Sequence, residues 1–103
     1  MGQFDLVIDS SDGTAVVHPS GELDLATAPT LWRALSLLLR GEHRSVVMDL
    51  SRLTFSDCAG LRPIRRALRE GARTGTIVEL RDAVPAVRRV LDLTGLGTPV
   101  AMG

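Results

Sequence analysis

The fold is decided by one stretch, Asp49-Leu50-Ser51-Arg52-Leu53-Thr54-Phe55-Ser56-Asp57-Cys58-Ala59-Gly60-Leu61. The segment 45–50, which leads into this stretch, is short and rich in β-branched side chains. This pattern predicts a central strand buried on both faces. At its end, apolar residues at helical spacing predict a helix from about Gly60 to Glu70 that stops at Gly71. The residues between are interpreted as a polar turn.

A turn between a strand and a helix exposes free backbone N–H groups and the positive end of the helix dipole at the sheet edge. Such a corner can bind an anion or a side chain of a partner. Asp57 is positioned to cap the helix, and capping alone would also account for this residue. Pro63 predicts a late or distorted helix start, because an earlier start would lose the hydrogen bond to the Ala59 carbonyl.

The flanking segments predict further strands and helices. Alternating apolar residues on both sides of a turn at 10–13 predict a β-hairpin that ends at Pro19. Residues 31–39 predict a helix with Thr27 or Ala28 as its cap and Gly41 at its end. Segments 76–80, 84–91 and 99–101 predict a strand, a third helix and a short last strand. Helices packed on a mixed sheet follow from this order.

The length and composition favour one globular domain. The chain has 103 residues, of which 45% are hydrophobic and 23% charged. The longest apolar run is far shorter than the roughly 20 residues that cross a bilayer, and the N-terminus has no basic leader. Cys58, the only cysteine, cannot form an internal disulfide, which fits a reducing compartment. We therefore expect a cytoplasmic protein.

The charged residues exclude several kinds of chemistry. All twelve basic residues are arginines, so lysine-dependent phosphate loops and Schiff bases are ruled out. His18 and His43 are the only histidines, and neither has the spacing of a catalytic or zinc site. We therefore expect no catalytic residues, no metal and no cofactor. The first half of the chain is acidic and the second half basic, although the net charge is zero.

A basic stripe is predicted on the second helix. Its members recur at helical spacing: Arg62, Arg65, Arg66, Arg69 and Arg73. This stripe is interpreted either as a solvated helix face or as a docking surface for acidic protein or nucleic acid. The neutral net charge and the presence of only three aromatic residues argue against nucleic acid.

Three segments together resemble the STAS domain family, and most of all its bacterial anti-sigma factor antagonists. They are residues 21–29 (GELDLATAP), the stretch from Asp49 to Leu61, and residues 85–96 (PAVRRVLDLTGL). Their order and spacing extend over almost the whole chain. The resemblance implies an α/β fold in which one STAS domain, residues 1–103, has a mixed four- to five-stranded sheet with helices packed on it.

The resemblance also implies a function. Such proteins are not enzymes; they bind an anti-sigma factor, usually one with a kinase-like fold, and so free the sigma factor for transcription. Their contact surface corresponds here to Asp24, Thr27, Ser56, Asp57, Cys58, Ala59 and Gly60. Alternatives are a STAS subunit bound to a transporter ATPase and, from another class, nucleic-acid binding through the stripe from Arg62 to Arg73.

The sequence departs from the family pattern between Ser56 and Gly60. Relatives have a hydroxyl residue that is phosphorylated to switch binding off, and Ala59 occupies that phosphoacceptor position. Since alanine has no hydroxyl group, we expect no phosphorylation there. Cys58 replaces another hydroxyl residue, and a thiol near a helix start is a candidate redox or alkylation site, whereas the alternative is a small buried residue. Relatives also commonly continue into a final helix after the last strand.

Overall fold

The computed structural model describes residues 3–96, which form five strands and three helices. The strands are β1 (Phe4–Ser11), β2 (Thr14–Leu23), β3 (Ser45–Asp49), β4 (Leu53–Ser56) and β5 (Ile77–Arg81). The helices are α1 (Ala28–Arg40), α2 (Arg62–Thr74) and α3 (Pro85–Leu93). The hairpin and all three predicted helices are therefore present.

The five strands form one mixed sheet in which β2 pairs with three other strands. The order is β1-β2-β3-β5, and β4 also pairs with β2. β1 is antiparallel to β2, and the other pairs are parallel. The first part of β2, residues 14–17, pairs with β3, and its last part, residues 21–23, pairs with β4. This arrangement confirms the predicted mixed α/β sheet.

The predicted end of the hairpin at Pro19 is wrong, because β2 runs through Pro19 to Leu23. A proline inside a strand normally removes a ladder hydrogen bond. Here Pro19 falls between the part of β2 that pairs with β3 and the part that pairs with β4. Pro19 also pairs with Leu6 of β1, but its nitrogen lies on the same side of β2 as that of Gly21, which donates to Arg52 and not to β1. Its missing N–H therefore costs no hydrogen bond, and His18 lies inside the strand and not at its end.

The core lies between the sheet and the helices. Along β2, Ala15 and Val17 are fully buried, while the alternate residues on the opposite face are partly exposed. Buried residues of every helix and of four strands join in one cluster: Val17, Leu23, Leu31, Leu35, Val46, Met48, Leu50, Leu53, Leu61, Ile64, Ala67, Leu80, Val87 and Leu91. This core fixes α1 and α2 beside each other over the sheet.

The segment around α2 differs from the prediction in two ways. Residues 53–56, interpreted as part of a polar turn, form the strand β4. The helix starts late, as Pro63 predicts, but it continues through Gly71 and ends at Gly75. Gly71 is packed so tightly that a Cβ would lie 2.6 Å from the Thr76 carbonyl oxygen, whereas Gly75 has the left-handed conformation (φ 84°) that ends helices.

The other boundaries agree with the sequence. α1 begins after Thr27 and is followed by Gly41, and α3 closes at Thr94 and Gly95. The predicted strand at 99–101 lies outside the described residues. Among the helices that the structure describes, none has the length and apolar character needed to cross a membrane.

Candidate functional site

Two turns meet at one edge of the sheet. Because β2 and β4 are parallel neighbours, the chain leaves both strands at the same edge. The Asp57 backbone N–H donates to the Leu23 carbonyl at 3.3 Å, which ties the second turn to the end of β2. The structure therefore brings the turn after β2, residues 24–27, beside the turn after β4, residues 57–61. We call these two segments together the two-turn surface.

The first turn is held by Asp24 and Thr27. Asp24 Oδ1 accepts hydrogen bonds from the backbone N–H groups of Ala26 and Thr27 at 3.0 and 3.1 Å. The Thr27 hydroxyl donates to the Glu22 carbonyl at 2.9 Å and accepts from the Asp24 N–H at 2.9 Å. Thr27 is the N-cap residue of α1, but its hydroxyl bonds back to β2 and not to the helix. One carboxylate oxygen of Asp24 thus serves the turn.

The second turn is held by Asp57. Its Oδ1 accepts a hydrogen bond from the Gly60 N–H at 2.7 Å. The first helical residue of α2 is Arg62, and its N-cap residue is Leu61. The prediction that Asp57 caps the helix is therefore wrong, because the late helix start leaves a separate turn between them. Asp57 is only partly buried, so its carboxylate can also meet another molecule.

Gly60 is required by the close approach of the two turns. A Cβ at this position would lie 2.2 Å from the Leu23 carbonyl oxygen and 2.6 Å from its carbon. Both atoms belong to the backbone of β2 and cannot move aside cheaply. Glycine at this position therefore lets the second turn pack directly on the end of β2.

The hydroxyl groups of β4 and the thiol group of the second turn differ in exposure. Ser56 is only 2% exposed, and its hydroxyl donates to the Asp57 carbonyl at 3.1 Å. Thr54 is exposed and donates to the Gly21 carbonyl. Cys58 is exposed, so the alternative that it fills space in the core is wrong. Its reactivity stays a prediction, and it lies four residues before the start of α2.

A small apolar hollow adjoins the two-turn surface. It lies between the N-terminal ends of α1 and α2, has a volume of about 280 Å³ and is lined by Leu25, Ala28, Pro29, Trp32, Ala59, Arg62, Pro63 and Arg66. Ala59 links it to the second turn. The guanidinium of Arg66 lies 4.2 Å from the ring centre of Trp32.

Sequence reasoning did not identify this hollow. Its walls come from two helices that are separated along the chain, so only the packed structure shows that they adjoin. One signal was present in the sequence. Leu25 is the one large apolar residue of the first turn, and the structure leaves it 65% exposed.

The histidines lie away from the two-turn surface. His18 contacts two carboxylates across three neighbouring strands, Asp9 at 3.3 Å and Asp49 at 3.1 Å. The Ser51 backbone N–H donates to Asp49 and holds the pKa of that carboxyl below its usual value, and His18 adds to the effect. Within residues 3–96, no cluster of three or more histidine, cysteine or acidic residues could hold a metal ion.

Comparison with known proteins supplies the family. The family profile described as "Mlab, STAS domain" matches residues 6–102, which is most of the chain. The chain belongs to the STAS domain family. Its mixed sheet with packed helices is the fold of this family's solved structures.

Similar proteins include anti-sigma factor antagonists, SpoIIAA among them. The crystal structure of one from Mycobacterium paratuberculosis is 34% identical, with a TM-score of 0.79 over 94% of this chain and 82% of that one. The phosphorylated form of the Bacillus cell fate determinant SpoIIAA is 25% identical, with a TM-score of 0.73 over 95% and 87% of the two chains. The putative anti-sigma factor antagonist BtrV of Bordetella bronchiseptica is 29% identical over 87% of this chain and 78% of its own.

Proposed function

We propose that this STAS protein is an anti-sigma factor antagonist. It binds an anti-sigma factor and thereby regulates the availability of a sigma factor and transcription. One observation carries the proposal: the segments that resemble the family's contact surface lie side by side, tied by the hydrogen bond from Asp57 to Leu23. The similarity to antagonists over nearly the whole chain supports it.

The proposed contact residues belong to the two-turn surface and the residue just before its second turn. They are Asp24, Thr27, Ser56, Asp57, Cys58, Ala59 and Gly60. Asp24 and Asp57 each use one carboxylate oxygen within their own turn. Among residues 3–96 nothing donates a hydrogen bond to their second oxygens, which can accept hydrogen bonds from arginine or backbone N–H groups of the partner. Ser56 and Gly60 contribute by shaping the turn, since both are buried.

We further propose what kind of partner this protein binds and that phosphorylation does not regulate the binding. The anti-sigma factor has a kinase-like fold, and the antagonist itself is not an enzyme and acts in the cytoplasm, where RNA polymerase works. Ala59 lies in the second turn without a hydroxyl group, so the usual phosphorylation cannot occur there. The protein therefore stays in its binding-competent form whether or not a kinase is active.

Two variants test the contact surface. We expect Asp24→Ala and Asp57→Ala each to weaken the anti-sigma factor complex, because losing a buried charge-assisted hydrogen bond in an interface costs about 2–5 kcal/mol. A cost of 2 kcal/mol corresponds to about a 30-fold rise in Kd. The control is Asp82→Asn, which removes the same charge from an exposed residue outside the two-turn surface and suits the left-handed backbone of that residue (φ 58°).

The measurement begins with affinity purification from the source cells and ends with calorimetric titration of the purified partner. Recovery of an anti-sigma factor, with loss of affinity in the two variants but not in the control, supports the proposal. Thermal melts separate lost binding from lost folding. Recovery of a transporter ATPase in place of an anti-sigma factor, or unchanged affinity in both folded variants, would contradict it.

A further inference from the structure

The apolar hollow is one end of a longer groove between α1 and α2. Past Trp32 and Arg66 it continues into a second depression lined by Trp32, Ser36, Leu39, Arg40, Arg66, Glu70, Arg73 and Thr74. The two depressions share Trp32 and Arg66, so they adjoin at this stacked pair of side chains and follow one another along a channel between both helices. We call this channel the α1–α2 groove.

The α1–α2 groove is strongly basic. Four arginines line it, namely Arg40, Arg62, Arg66 and Arg73, against one acidic residue, Glu70. Glu70 already pairs with Arg73 at 2.9 Å. Within residues 3–96, neither Arg40 nor Arg62 forms an ion pair. The groove therefore offers positive charge that an acidic molecule can neutralise.

We propose that the α1–α2 groove binds an acidic, amphipathic segment of the partner protein. One large apolar side chain of that segment fills the hollow beside Trp32 and Pro63, and its carboxylates contact Arg40, Arg62 and Arg66. This inference rests on the proposed function, because the partner protein is taken to be the anti-sigma factor. It adds a second contact region next to the two-turn surface, with which the groove shares Leu25 and Ala59.

The dimensions and chemistry of the groove favour a peptide segment. Its apolar hollow has a volume of about 280 Å³ and adjoins the second depression, so it can take one side chain of a segment that lies along the groove. Proteins that bind single-stranded nucleic acid use exposed aromatic faces on which the bases stack. The only aromatic residue of the groove is Trp32, and the guanidinium of Arg66 already lies over its ring.

Binding in the groove can be measured by the fluorescence of Trp32, because it is the only tryptophan of the chain. The probes are two synthetic helical peptides with leucines at the same positions, one carrying glutamates and the other lysines on its polar face. We expect the glutamate peptide to shift the emission of Trp32 saturably at low salt, and the shift to weaken as salt is added. The lysine peptide has no such effect.

Two charge-reversal variants separate the groove from general attraction. The first variant combines Arg40→Glu with Arg62→Glu. Both residues line the groove, and neither belongs to the cation–π pair of Arg66 with Trp32, so the fluorescent ring keeps its neighbour. We expect this double variant to bind the glutamate peptide at least about tenfold more weakly. The control combines Arg65→Glu with Arg69→Glu, which makes the same charge change at exposed residues of α2 outside the groove. It stays within about twofold of the natural chain.

Several results would overturn the inference. They are equal weakening in both double variants, equal shifts from both peptides, and a single-stranded DNA oligonucleotide that shifts Trp32 at a lower concentration than the glutamate peptide. The last result would assign the groove to nucleic acid.

The purified anti-sigma factor separates this inference from the proposed function. If Asp57→Ala lowers its affinity while the Arg40 and Arg62 double variant does not, the groove proposal fails and the proposed function stands. If the natural chain does not bind the anti-sigma factor at all, the proposed function fails. The peptide titration then decides whether the groove binds acidic segments.

Discussion

At Gly60, the second turn passes so close to β2 that no side chain fits. We predict that Gly60→Ala destabilises the protein by about 1–3 kcal/mol, the usual cost of forcing an extra methyl group into packed structure. The reason is the backbone of Leu23, 2.2 Å from the position of the new Cβ. Urea denaturation measures the loss, with Gly41→Ala as the control.

Gly41 is a suitable control because its nearest neighbour would be the flexible ring of His43 at 3.3 Å. The control variant is expected to remain within about 1 kcal/mol of the natural chain. Equal stability of both variants would contradict the close packing of the second turn on β2.

Asp49 makes stability depend on pH in the acid range. Hydrogen bonds from Ser51, with a contribution from His18, lower the pKa of this carboxyl in the folded protein. A lowered pKa adds stability above the unfolded value, near pH 4, and that stability is lost as the pH falls further. We predict that Asp49→Asn reduces the acid-induced loss, measured by urea midpoints between pH 7 and 3.

The control for Asp49 is Asp82→Asn, since Asp82 forms no ion pair among residues 3–96. This variant should keep the acid-induced loss of the natural chain. The prediction for Asp49 fails if the two asparagine variants show the same pH dependence.

Single residues differ in how far their roles follow from the sequence. The late start of α2 is a local consequence of the proline ring at Pro63, so the sequence predicts it. The role of Asp57 depends on where that helix starts, and the predicted helix cap proved to be a separate turn. Gly71 has the opposite role to the predicted one, because its lack of a side chain serves packing against Thr76. Only the packed structure distinguishes a glycine that ends a helix from one that fits a tight contact.

At the level of elements, Thr27 connects β2 to α1. Its hydroxyl donates to Glu22 and accepts from Asp24, so one side chain bonds both the strand and the turn. We predict that Thr27→Ala costs about 1–2 kcal/mol of stability and that Thr27→Ser, which keeps the hydroxyl, restores most of it. Thermal unfolding of the three proteins measures the effect. Equal melting temperatures for the alanine and serine variants would show that this hydroxyl does not hold the turn.

Long elements with a regular apolar pattern are predictable, whereas short ones are not. α1 shows helical spacing over 13 residues and has the boundaries that the sequence predicts. β4 has four residues and buries only its ends, Leu53 and Ser56, so it lacks the alternation that marks a strand. It forms because the end of β2 extends beyond β3, where its backbone N–H and C=O groups can pair with another strand. This pairing is set by the arrangement of the sheet, so the sequence of residues 53–56 alone does not indicate it.

At the level of the whole molecule, the two-turn surface and the α1–α2 groove both depend on contacts between distant parts of the chain. The resemblance to STAS proteins names the residues of the two turns from the sequence, and the pairing of β2 with β4 explains why they lie together. The groove needs Arg40 of α1 opposite Arg73 of α2, which no spacing along one helix indicates. The predicted arginine stripe is therefore divided, since Arg65 and Arg69 do not line the groove.

We propose that this antagonist binds its anti-sigma factor without the usual phosphorylation switch. A phosphate in the second turn would add about −1.5 to −2 charges beside Asp57 and oppose a partner site arranged around an acid. Ala59 cannot accept it, the hydroxyl of Ser56 is buried, and that of Thr54 already bonds Gly21. The Ala59→Ser variant restores an acceptor and serves as the matched comparison.

The most direct measurement is the calorimetric affinity for the purified anti-sigma factor before and after incubation with ATP and the cognate kinase, with phosphopeptide mass spectrometry of the same samples. We expect unchanged affinity and no phosphate at residues 54–60 in the natural chain, and phosphate with weakened binding in Ala59→Ser. Stoichiometric phosphate on Ser56 or Thr54 of the natural chain, with loss of binding, would contradict it.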